Sequence, residues 1–167
     1  MNCLLYEPAS GNVSSGEADK IADWSAGDSA LIWVNIEGEL DESTQEILKA
    51  SSGLHPLALQ DASRNRHPPK IEEFSDCTFL IFKTLTSETV DINFSTLQNC
   101  LFVGPRFLIT RTSAPCLSIG ELWQEELAEP NRIQQGTDAF SLAGADADST
   151  PDINRTLCPR RMVIRHA

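Results

Sequence analysis

The 167-residue sequence is poor in positive charge: 13 lysines and arginines stand against 24 acids, for a formal net charge of -11. Nucleic-acid binders neutralise phosphates with a basic face, so this balance argues against that class. An acidic surface concentrates cations instead, and it also favours solubility. Long hydrophobic runs are missing as well. The longest, such as "FLIF" at 79–82, fall far short of the ~20 residues a membrane helix needs. The opening "MNCLLYEPAS" has neither the basic start nor the apolar length of a secretory signal. The five cysteines, Cys3, Cys77, Cys100, Cys116 and Cys158, are scattered and odd in number, with no CxxC pair. They read as reduced thiols, most of them core fillers, in a cytosolic protein. There is no nucleophile elbow, no phosphate-cradling loop and no zinc motif. The three histidines, His55, His67 and His166, never fall at the i, i+4 spacing of a helical metal pair, and each reads as structural. The acidic clusters lack the converging histidines or nucleophile of an active site, so the reading is not that of an enzyme.

What is present is globular. Hydrophobic residues make up 41% and charged residues 22%, enough for one domain with its own core. "NCLLY" at 2–6 predicts a first strand, and "SGNVSSGEADK" at 10–20 a polar loop. "ALIWVNI" at 30–36 is continuously apolar and β-branched, the pattern of a strand covered on both faces. A helix follows, capped by Asp41 and closed by Gly53. Strands are predicted at 70–74, 77–85, 94–104 and 106–112, the last two joined through Gly104-Pro105 as a hairpin. "SIGELWQEELAE" at 118–129 has helical spacing and is stopped by Pro130. Trp33 and Trp123 fit core positions, and Trp24 fits the edge of the sheet. The order of elements predicts an α/β domain, a mixed β-sheet layered between helices.

One stretch is unusually punctuated: "GLHPLALQDASRNRHPPKIEEF", 53–74. Pro56 suits the first position of a helix, where its missing N–H costs nothing. Pro68 and Pro69 forbid continuation and push His67 into an extended conformation. The acids Glu37, Glu39, Asp41 and Glu42 surround a helix start, where the macrodipole stabilises them. Glu72, Glu73 and Asp76 read as a solvated strand end and turn. Asp61 is the acid less easily dismissed. Its plain reading is a loose pair with Arg64, or simple solvation.

These residues carry a resemblance. "GLHPLALQDASRNRHPPKIEEFSDCTFLIFKTL" resembles the soluble N-terminal domain of the CorA magnesium and cobalt transporters, which shows a Gly-hydrophobic-His-Pro-Leu-x-Leu-Glu-Asp run, a basic stretch, Pro-Lys and an acidic pair before an apolar strand. "IWVNIEG" is similar to the strand before, "LFVGPRFLITRT" to the strand after, and "LWQEELAEPNRIQQGTDAFSLA" to the next helical segment, so the likeness covers about residues 30–142. The resemblance implies a cytoplasmic α/β/α domain of a pentameric cation channel. In that family Mg2+ bridges neighbouring subunits in the cytoplasmic part and holds the channel shut. The family's bridging aspartate falls on Asp61, and the preceding family glutamate is replaced by Gln60.

The resemblance further implies Mg2+ or Co2+ as the ion and a homo-oligomer, or association with CorA-like subunits, as the assembly. A single Asp61 makes no site, so ion sensing requires assembly. Nucleic acid is not an implied partner, and this chain has no membrane span of its own. Family members sit in the inner membrane with this domain in the cytoplasm. The expected division is a CorA-like domain over 1–142 and an irregular or disordered tail over 143–167. The arginines of that tail, Arg155, Arg160, Arg161 and Arg165, are read as part of a loose end rather than a membrane contact. The sequence stops before any stalk helix, membrane helix or Gly-Met-Asn motif, so the expectation is a truncated, frame-changed or short relative without a pore. The rival expectation is a metal-independent interaction module or a non-functional fragment associating with a full-length transporter.

Overall fold

The computed structural model describes residues 1–26, 29–85 and 96–129. Pro130, the segment after it and the tail at 143–167 lie outside the described residues.

Among the described residues the chain forms β1 (Asn2–Glu7), β2 (Asn12–Gly16), α1 (Asp19–Ala26), β3 (Leu31–Glu37), α2 (Glu42–Ser52), α3 (Pro56–Ser63), β4 (Lys70–Glu73), β5 (Thr78–Leu85), β6 (Thr96–Val103), β7 (Phe107–Thr112) and α4 (Leu117–Ala128). The seven strands make one sheet in the order β2-β1-β3-β7-β6-β5-β4. It is mixed, as its patterning predicts. β3 and β7 run parallel, with Ile32 opposite Phe107. The other neighbours are antiparallel.

Period-two alternation sends residues of each strand to opposite faces. Cys3, Leu5, Ile32, Val34, Phe79, Cys100, Phe102 and Ile109 point to one face, where Ile21 and Trp24 of α1, Leu48 of α2 and Ala58, Leu59 and Ala62 of α3 cover them. Leu4, Trp33, Leu80, Leu101 and Leu108 point to the other, under Ile119 and Leu122 of α4. Among the described residues the result is an α/β/α layering, with α1, α2 and α3 on one face and α4 on the other. Each large side chain taken fully out of water contributes roughly 1.5–3 kcal/mol, and Phe79, Phe102 and Ile109 are completely buried.

The differences from the sequence reading have physical causes. β2 lies within the 10–20 stretch that reads as a loop, and α1 begins at its end. β2 carries little apolar signal because it is an edge strand. It is held by pairing with β1, from Cys3 opposite Gly16 to Glu7 opposite Asn12. Trp24 lies inside α1 rather than at a sheet edge. It is buried, meets Phe107 edge-on at 6.0 Å, and its indole N–H donates to the Ala30 carbonyl at 3.1 Å. Cys3, Cys77, Cys100 and Cys116 are free and buried, in keeping with core thiols, while Cys158 lies outside the described residues. Burial pushes the Cys3 thiol up to about 11. Gly104 turns the β6–β7 hairpin, its N–H donating to the Phe107 carbonyl at 2.9 Å, and a side chain there would run into the Phe107 ring.

Candidate functional site

α3 is positioned at both ends. His55 caps it, its Nδ1 accepting from the Leu57 N–H at 3.2 Å, and Pro56 opens its first turn. The His55 ring stacks on Phe74 at 4.9 Å, tying the start of the helix to the chain just past β4. Ala58, Leu59 and Ala62 face the sheet and are buried. That orientation leaves Leu57 exposed and turns Asp61, one turn later, toward the rim. Asp61, Leu57, Glu72, Glu73 and Phe74 line an open depression of about 370 Å³.

The loop after α3 is fastened from below by two buried polar residues at the ends of β6 and β7. The Gln98 amide donates to the Arg64 carbonyl at 2.6 Å and accepts from the His67 N–H at 2.9 Å. The Arg111 guanidinium donates to Asn65 Oδ1 at 2.7 Å and to the Gly38 carbonyl at 3.0 Å. Burial lowers the Arg111 pKa from its ordinary value, and neutral oxygens hold the group at those two points. Neither residue stands out in the sequence. Their signal is a long polar side chain in the polar half of a buried strand, and it gains meaning only when the topology brings β6 and β7 under the loop.

The fastened loop returns the chain antiparallel to β5 and sets Lys70 opposite Ile81. Lys70 Nζ then lies 2.5 Å from Asp61 Oδ2 and 3.0 Å from Glu72 Oε1. It also sits 5.5 Å from the centre of the Phe79 ring. His67 Nε2 is 3.4 Å from the other Asp61 oxygen. The hydrogen bond from Lys70 holds the Asp61 carboxyl below the usual carboxylate range, against the opposing effect of burial. Partial burial disfavours the Lys70 ammonium, but its bonds to Asp61 and Glu72 raise its pKa overall. The partner of Asp61 is therefore Lys70, assisted by His67. Arg64 touches it through the backbone, its N–H donating to the Asp61 carbonyl at 3.2 Å. Glu72 joins the same group instead of standing alone in solvent.

Asp61 and Glu72 present hard oxygen donors of the kind that bind Mg2+. Among the described residues no three His, Cys, Asp or Glu side chains converge to hold a metal. One chain therefore offers an incomplete donor set.

A family model described as CorA-like Mg2+ transporter protein matches residues 28–143. The chain belongs to this CorA-like family. YfjQ of Bacillus subtilis (strain 168), whose name assigns it to metal ion transport, is 26% identical over 109 residues, covering 65% of this chain and 33% of the relative. The soluble domain of CorA from Methanocaldococcus jannaschii superposes with a TM-score of 0.52 at 20% identity, over 75% of this chain and 46% of that one. The complete CorA magnesium transporter of the same organism gives a TM-score of 0.57 at 18% identity, over 77% of this chain and 38% of that one. The two CorA structures show the shared α/β fold. The chain spans about a third of the length of the curated relative and under half of either solved chain. Among the described residues no helix is long and apolar enough to cross a membrane.

Proposed function

We propose that this chain is the cytoplasmic, ion-responsive domain of a CorA-type divalent-cation transport system, with Mg2+ or Co2+ as the ion and without a pore in the part described. Its partners are further copies of itself or CorA-like subunits. Asp61 is the metal-responsive carboxylate. The observation that carries this reading is the placement of Asp61 at the open rim of α3, beside Glu72, within the 28–143 span that matches the family. Magnesium keeps much of its water and is satisfied by few carboxylates. A rim carboxylate from each of two copies would complete what one copy leaves open, so ion binding and assembly are linked. No catalytic role is assigned.

The test is titration of the purified chain with Mg2+ while its mass is followed by light scattering. A rise in mass with Mg2+ in wild type, lost in Asp61→Ala, is the expected outcome. No Mg2+-dependent change, or the same change in Asp61→Ala, removes the sensing role.

One observation favours a second reading. Both Asp61 oxygens are already engaged by cationic or ionisable groups of the same chain, Lys70 and His67. A metal-independent interaction module that joins full-length transporter subunits would keep that cluster as a purely structural tie. Co-purification with a full-length CorA-type subunit that survives chelation would select this alternative.

A further inference from the structure

We propose that Lys70 is a tethered competitor for the Asp61 site, its ammonium standing where an incoming divalent ion would bridge Asp61 and Glu72. This rests on the reading of Asp61 as the ion-responsive carboxylate and adds the device that sets its threshold.

The geometry supplies the argument. A single ammonium contacts carboxylates from two different elements, Asp61 of α3 at 2.5 Å and Glu72 of β4 at 3.0 Å. It also lies over the Phe79 ring. The stem of Lys70 cannot drift away. It leaves Pro69 directly into the ladder with Ile81, and the loop before it is fixed through Gln98 and Arg111. The competing cation is thus present at a high effective concentration that dilution does not lower.

A divalent ion binding Asp61 has to displace this contact. The displaced ammonium keeps an exit, because the side chain is 23% exposed and the neighbouring depression is open to solvent. The cluster is therefore an exchangeable contact rather than a sealed core pair. Its two states are Lys70 on Asp61, and Lys70 released with a hydrated divalent ion in its place. The ion gains one unit of charge over the ammonium and loses the advantage of the tether. Affinity is set by the difference between these two effects.

The experiment measures Mg2+ binding by calorimetry and Mn2+ binding by paramagnetic broadening of NMR signals from α3 and β4. The proteins are wild type, Lys70→Met, Lys70→Gln, Lys70→Arg, Asp61→Asn and the Lys70→Met/Asp61→Asn double variant. Circular dichroism checks that each is folded, and Lys70→Gln, which can still donate to Asp61, stands in if Lys70→Met does not fold. Removing the charge is expected to tighten binding about fivefold or more. Lys70→Arg should stay near wild type, and the double variant should not bind. Rescue by arginine separates competition from a merely structural role. Unchanged or weaker binding in the neutral Lys70 variants, with Asp61→Asn still losing the ion, overturns the competition and leaves Asp61 as the ligand. Binding that persists unchanged in Asp61→Asn, or no broadening near Asp61 in any folded form, overturns both.

Discussion

At the scale of the residue, Asp61 is a carboxylate whose charge is held by its neighbours. The hydrogen bond from Lys70 keeps its pKa below the ordinary value. The folded state therefore favours the ionised form, and the stabilisation is present above the unfolded pKa, about 4. It is lost as the pH falls through the lower folded value. Thermal unfolding should accordingly show wild type more stable than Asp61→Asn near neutral pH, with the gap closing below about pH 4. A gap that stays constant into acid would mean that the charge of Asp61 contributes nothing to the fold. That Asp61 lies on a short helix opened by Pro56 was legible from the punctuation of the sequence. The partner of Asp61 was not. Arg64, three residues on, is the local candidate, but α3 ends in an extended conformation there and Arg64 is solvent-exposed. The cation that reaches Asp61 is nine positions away and arrives only because the loop doubles back.

At the scale of the element, the punctuation of the chain does what its residue types dictate. Asp41 caps α2 by accepting from the Thr44 N–H at 2.7 Å, and Gly53 closes the helix in the left-handed conformation at φ 65°. Gly53→Ala should lower stability by about 1 kcal/mol, because a Cβ strains that backbone conformation. Urea unfolding checks this, and an unchanged midpoint would show that the cap tolerates a side chain. β3, β5, β6 and β7 were readable because burial on both faces leaves continuous apolar runs. β2 was not, since an edge strand half in solvent needs no apolar pattern and takes its order from β1. α1 was hidden for a related reason: only Ile21 and Trp24 among its described side chains are buried.

At the scale of the whole molecule, the sheet and the rim are mechanically joined. Gln98 is 2% exposed yet spends both ends of its amide on the loop that carries His67 toward Asp61. Gln98→Ala should cost about 2 kcal/mol and speed hydrogen exchange at the His67 amide. It would do so without touching a carboxylate, and unchanged exchange at His67 would show that the loop is held by other means. Among the described residues the sheet is two sequence-local ladders, β2-β1-β3 and β7-β6-β5-β4, that meet at the parallel seam between β3 and β7. On the ribosome Ile32 emerges long before its partner Phe107, so the first ladder carries a raw, greasy flank until the second is made. Closing that seam is the non-local, slow event of folding. Until it closes, a β7 from a neighbouring chain can take the vacant place, making strand exchange the failure most to be watched for when this domain is crowded with its own kind.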